Sequence, residues 1–227
     1  MTADQIRRYL IGVGAMFGLF VLEQLAMVPV DLPSLISKNA VAVQWGLGIL
    51  TTILSLFVLW VIWRVYQKGL AEREPQYFRP QPRRKTKWLW FGLMVLALAA
   101  LIVAEALIHS GTSANERSID KMLKQTPWLT MYFGVIWAPI LEELIFRGLY
   151  FDFFFMKLQK RWVWWLGVVL NGVLFAMLHT SLWSPSAWVY GTMGMILAIT
   201  YLKTKDIRFD IGIHFLNNGF AMLASFL

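Results

Sequence analysis

Seven apolar runs, separated by short polar segments, decide what this chain can fold into. They cover about Tyr9–Val30, Ala40–Trp63, Trp88–His109, Trp128–Phe155, Trp162–His179, Ala187–Leu202 and Ile211–Leu227. Most approach the ~20 residues that an α-helix needs to cross a bilayer; the sixth and seventh are shorter. In hydrocarbon each backbone polar group must be paired inside its own segment, so runs of this length fold as helices. With 58% hydrophobic residues in 227, the expected fold is all-α: a polytopic membrane helix bundle of about seven spans, forming one integral membrane domain.

Lys and Arg set the orientation. Sixteen of the 21 lie on the side bearing the N-terminus, four (Lys38, Arg117, Lys121, Lys124) on the other, and Arg147 lies within a span. That asymmetry predicts a cytoplasmic N-terminus. Trp60, Trp63, Trp88, Trp90, Trp162, Trp164 and Trp165 then fall at inner span ends, and Trp128, Trp183 and Trp188 near outer ones, as interfacial anchors do. The first run has no Ala-x-Ala-like cleavage site and reads as a retained helix. The net charge of +8 fits loops that face an anionic bilayer surface better than it fits a nucleic-acid partner. There is no cysteine, which excludes disulfides, thiol catalysis and thiolate metal sites. The basic stretch 64–87 holds Pro75, Pro80, Pro82 and Arg83-Arg84-Lys85. It reads as a solvated cytoplasmic loop near headgroups, or else as a docking site for an acidic partner.

Against this apolar background, Ala138-Pro-Ile-Leu-Glu-Glu-Leu-Ile-Phe-Arg-Gly148 stands out, with Glu142, Glu143 and Arg147 inside one span. Each charge costs roughly 2.5–3.5 kcal/mol at the centre of a membrane helix. Glu143 and Arg147 are four apart and can pair on one face. Glu142 lies about 100° round the axis and is left to face a cavity, where an unpaired carboxylate can serve as a base. Pro139 removes one helical hydrogen bond beside them. Such a pair can also serve packing alone, but the second glutamate has no local partner.

His179 and Phe175 form a second pair at helical spacing. If Lys160-Arg161 marks a hairpin turn, Glu142 and His179 each lie roughly 27 Å from it and meet at one level. Phe175 then walls the pocket. A third pair, His214 and Asn218, shares a face of the last run and can donate to a developing oxyanion. Alternatively, Glu142, His179 and His214 could hold zinc, or His214 and Asn218 could be interhelical glue. His214 lies only roughly 6–11 Å from the preceding loop, which conflicts in depth with the hairpin count. Glu23 and Glu105 have no charged neighbour at helical spacing and read as packing residues that could reach the site. His109 reads as interfacial, Asp152 as a partner for Lys157 or Lys160, and Asn171-Gly172 as a close helix contact.

Glu142-Glu143-x-x-x-Arg147, Phe175-x-x-x-His179 and His214-x-x-x-Asn218, in this order on three predicted membrane helices, resemble the motifs of the CPBP family, the CAAX-protease and bacteriocin-processing (Abi) intramembrane proteases. The resemblance covers about Trp128–Leu227. It implies a helical core over 128–227 and variable helices over 1–127. By this resemblance Glu142 would activate a water for attack on a peptide carbonyl. Glu143, Arg147 and His179 would orient and tune it, and His214 and Asn218 would stabilise the oxyanion. No cofactor is favoured, and zinc is the alternative. The chain lacks His-Glu-x-x-His, Gly-x-Ser-Gly and a pair of aspartates in separate central spans, which disfavours the corresponding zinc, serine and aspartyl mechanisms. The expected partners are the bilayer and a peptide or protein substrate, either a prenylated CAAX-type chain or a bacteriocin or signal peptide. A bacterial plasma membrane is the expected location. The competing reading is a bacteriocin-immunity protein that binds a peptide without cutting it.

Overall fold

A computed structural model describes residues 3–32, 41–73, 80–108 and 111–225. Lys38, Pro75, His109 and Leu227 lie outside the described residues. Eight helices and no strand occur among those described: α1 Ala3–Asp31, α2 Val41–Arg73, α3 Arg84–Ile108, α4 Ala114–Gln125, α5 Pro127–Phe154, α6 Arg161–His179, α7 Ala187–Thr204 and α8 Ile207–Ala224. Of these, α1, α2, α3, α5 and α6 are long and apolar enough to cross a membrane. The 18-residue α7 and α8, each ~27 Å long, complete a bundle of about seven.

Burial ranks these helices. In its most apolar window α5 is 61% buried, against 11% for α3 and 33% for α6. The helix carrying the charges is therefore the central one, and the others present Leu, Trp and Phe outward, as at Leu96, Leu107 and Phe17. α5 starts at Pro127, where a missing N–H is no loss. It widens into π-helix at Tyr132–Trp137 and again at Leu144–Leu149. The two widened stretches bracket Glu142 and Glu143. Such bulges concentrate at functional sites.

Close backbone approach joins α6 to α7. A Cβ on Gly172 would lie 2.6 Å from the Gly191 carbonyl oxygen, and one on Gly194 would lie 2.9 Å from the Cα of Gly172. The inner end is tied by cations on aromatic rings. Lys203 Nζ lies 4.9 Å from the Trp90 ring and 5.2 Å from the Trp164 ring, which levels α3, α6 and α7.

Three expectations need correcting, and one helix is new. The stretch 64–87 is not all loop: Arg64–Arg73 continues α2 and Arg84–Lys87 opens α3. The described loop residues 80–83 include Pro80 and Pro82, which cannot donate to a helix ladder. The outer polar segment contains a helix, α4, begun by a capping box in which Ser113 Oγ accepts from Glu116 N at 3.0 Å and Ser113 N donates to Glu116 Oε2 at 2.8 Å. The central helix ends at Phe154, and 155–160 are non-helical, so the hairpin turn does not begin at Lys160. Finally, α8 starts at Ile207, leaving only Lys205 and Asp206 between it and α7. Lys205 takes the left-handed conformation, with φ 54°.

The last two corrections remove most of the depth conflict. Glu142 is 12 residues from Phe154, or ~18 Å, not 27 Å. His214 is seven residues into α8, or ~10 Å. The non-helical 155–160 carries the chain to the start of α6.

Candidate active site

Arg147 is fully buried, and its Nη1 donates to Glu143 Oε1 at 2.9 Å, with no exposure on either side chain. The guanidinium lies 4.6 Å from the centre of the Phe175 ring, so the cation is held between a carboxylate and a π face. The same Glu143 oxygen accepts from His214 Nδ1 at 2.7 Å. A carboxylate only accepts, so Nδ1 carries the proton and Nε2 is the free nitrogen of His214. That Nε2 lies 3.9 Å from Glu142 Oε2.

His179 repeats this logic on α6. Its Nδ1 lies 2.8 Å from the Phe175 carbonyl oxygen, which again fixes the proton on Nδ1. Its Nε2 lies 3.9 Å from the same Glu142 Oε2. The ring is clasped between Phe175, at 4.2 Å, and Tyr190, at 5.1 Å, both stacked. One carboxylate oxygen and two imidazole lone pairs thus converge on one region. Three acceptors facing each other are satisfied by a shared donor, a water or an imidazolium proton.

Glu143 is thus hydrogen-bonded to His214 from α8. Asn218 Nδ2 donates to the Gly134 carbonyl at 2.8 Å, and its Oδ1 accepts from Asn217 Nδ2 at 3.2 Å. This bond has a local cause. Ala138 N–H bonds to the Phe133 carbonyl. In that register position 139 faces Gly134, and Pro139 has no N–H to give. Asn218 supplies the donor that the proline lacks. Across the second widened stretch, Asn171 Nδ2 donates to the Phe146 carbonyl at 2.5 Å.

Zinc fits this donor set poorly. Adjacent ligands of a tetrahedral zinc stand roughly 3.3 Å apart, and Glu142 Oε2 lies 3.9 Å from both imidazoles. No group of three His, Asp or Glu side chains close enough to hold a metal occurs among the described residues.

The site lies in a cavity of about 480 Å³ lined by Glu142, Phe175, His179, His214 and Asn218. Glu23, Glu105, Tyr190 and Asn217 line it too. Glu23, read from sequence as a packing residue that could reach the site, is 2% exposed and interacts electrostatically with Glu142. Tyr190 had no sequence signal. Its hydroxyl donates to Glu116 Oε1 at 3.2 Å and lies 3.1 Å from Ser113 Oγ, so it ties α4 to the ring of His179. Asp210, also unforeseen, is fully buried and interacts electrostatically with Glu143 and Arg147. Asp206, at the α7–α8 turn, is held by Arg208 at 2.8 Å and Lys87 at 3.1 Å. The Arg208 hydrogen bonds first, then Lys87, pull its carboxyl down to about 2.

A family description, Type II CAAX prenyl endopeptidase Rce1-like, matches residues 124–220, which run from the end of α4 into α8. The membrane-embedded CAAX protease MroQ of Staphylococcus aureus is 25% identical over 212 residues, 86% of this chain and 84% of that protein. Two UPF0177 proteins of Lactococcus lactis also match. YvdC is 28% identical over 61% of this chain and 55% of its own length, and YbdI is 34% identical over 44% and 50%. This chain therefore spans about half the length of those two relatives. No solved structure matches it. Fold and matches together define a multi-pass integral membrane protein of bacteria in the protease class. Over residues 124–220 the chain is similar to the CAAX-protease family, the family whose motifs its sequence resembles.

Proposed function

We propose that the protein is an intramembrane endopeptidase in which Glu142 activates water. The observation that carries this is the convergence of Glu142 Oε2 with the Nε2 atoms of His179 and His214, each at 3.9 Å. Glu142 takes a proton from water as the water oxygen bonds to the peptide carbonyl carbon. The same carboxyl returns the proton to the amide nitrogen as the C–N bond breaks, releasing a carboxylate and an amine. His179, its Nδ1 fixed on Phe175, orients the water. Glu143, paired with Arg147, holds the Nδ1–H of His214, and when His214 also carries a proton on Nε2 that N–H donates to the oxyanion. Asn218 spends one amide N–H on Gly134 and keeps its second for the same oxyanion. The substrate is a peptide, of CAAX, signal or bacteriocin type. No step passes through a metal.

Purified protein is incubated with a reporter peptide in H₂¹⁸O, and the products are weighed by mass spectrometry. The expected result is two fragments with ¹⁸O in the new carboxylate. Saturable binding with no cleavage, together with bacteriocin protection by the Glu142→Gln variant, would replace this reading with sequestration. Stoichiometric zinc that disappears in His179→Ala/His214→Ala protein would contradict the metal-free chemistry.

A further inference from the structure

The cavity is acidic in a basic protein. Glu23, Glu105, Glu116, Asp120 and Glu142 line it, and no Lys or Arg does among the described residues, although the chain carries a net +8. Most of these carboxylates are already engaged. Glu116 caps α4 and accepts from Tyr190. Asp120 accepts from Ser225 at 3.1 Å, and Glu142, whose Oε2 also lacks a hydrogen bond, faces the two imidazoles of the reaction site. Glu23 differs. It is 98% buried, at 2% exposure, its Oε2 has no hydrogen-bond partner among the described groups, and it stands in the cavity wall. A buried carboxylate without a partner is costly, and a cation is what offsets that cost.

The position of Glu23 tells from which side a ligand comes. It lies eight residues before Asp31, the last residue of α1, or ~12 Å from the end opposite the N-terminus. Most of the other lining residues lie toward that same end of the bundle: Ile102 and Glu105 late in α3, several residues of α4, His179 at the end of α6, Val189 and Tyr190 early in α7, and Phe220 to Ser225 at the close of α8. The charge asymmetry puts this end on the extracytoplasmic side.

Building on the protease reading, we propose that Glu23 is a specificity-determining residue, which binds a lysine or arginine side chain of a substrate peptide entering from the extracytoplasmic side. The basic side chain pairs with Glu23 while the scissile bond lies against Glu142. The hydrogen bond is charge-assisted and desolvated, so it discriminates more strongly than a surface ion pair does.

Three sets of fluorogenic decapeptides, with randomised flanks and a fixed Lys, Leu or Glu, are compared on full-length protein. The expected wild-type preference is Lys over Leu by about tenfold in kcat/KM, with Glu last. Glu23→Gln flattens the Lys-to-Leu ratio, and Glu23→Lys moves the preference to the Glu set. A ratio that stays the same in all three proteins overturns the proposal. So does a wild type that shows no charge preference. Binding of the same peptides to Glu142→Gln protein separates the two readings. Charge-dependent affinity that Glu23→Lys reverses upholds the role of Glu23 even if no peptide is cut, whereas charge-blind affinity overturns it whatever the cleavage result.

Discussion

Adjacent glutamates on one helix end up in unlike settings. Glu143 is fully buried on Arg147 and His214, while Glu142 keeps 15% side-chain exposure and faces two imidazole edges. Their neutral variants should therefore differ in kind. Glu143→Gln leaves the guanidinium buried without its counter-charge and should cost about 3–5 kcal/mol of stability. Glu142→Gln should melt within a few degrees of wild type in the same detergent. Equal losses of Tm in the two variants would mean that the glutamates share one structural role. The residues gathered here are those that i, i+4 spacing singled out, because charges and imidazoles in apolar helices are conspicuous whatever the tertiary fold. Tyr190 and Asp210 were not legible as site residues, and Glu23 was read as a packing residue that could reach the site. Each joins through the register of one helix against another, and that register leaves no mark on the residue's own segment.

At the scale of elements, the Pro139 break and Asn218 form one device. The proline withholds a donor, and α8 supplies it through the Gly134 carbonyl. Asn218→Ala should remove the partner of that half-buried carbonyl at a cost of about 1 kcal/mol. Pro139→Ala restores an N–H in reach of the same carbonyl, so it should recover part of the loss. A double-mutant cycle on thermal stability measures this, and strictly additive effects would deny the link. The α7–α8 turn has an electrostatic fastening of its own. Because Asp206 is held down at about 2 in the fold and an unfolded Asp titrates near ~3.9, its contribution is complete above about pH 4. It is lost as pH falls toward about 2. The Tm advantage of wild type over Asp206→Asn should shrink over that window and stay level from pH 5 to 8. The seven apolar helices and their order were readable from apolar runs, but the polar α4 was not. The ends were not, because α2 and α3 continue as helix past their apolar stretches and α4 is polar except for the face holding Met122 and Leu123. The capping box at Ser113 and Glu116 was the signal that could have found it.

For the whole molecule, charge and cavity point opposite ways across the bilayer. The basic inner end carries the end of α2, the start of α3 and the α7–α8 turn, and the acidic cavity lies at the far end under α4. The chain has no cysteine, so single introduced thiols report one position each. Ser118→Cys, exposed on α4, should react with an impermeant maleimide on intact cells. Lys68→Cys, at a side chain 71% exposed, should react only after permeabilisation. The reverse pattern would turn the molecule over and place the site toward the cytoplasm. The central claim, that Glu142 is the base for peptide hydrolysis, is tested most directly by kcat/KM of Glu142→Gln against wild type on one reporter peptide at matched folding. A positioned general base is worth about 10²–10⁴-fold, and the account predicts a loss in that range with Tm preserved. Cleavage by Glu142→Gln within a few-fold of wild type would contradict it.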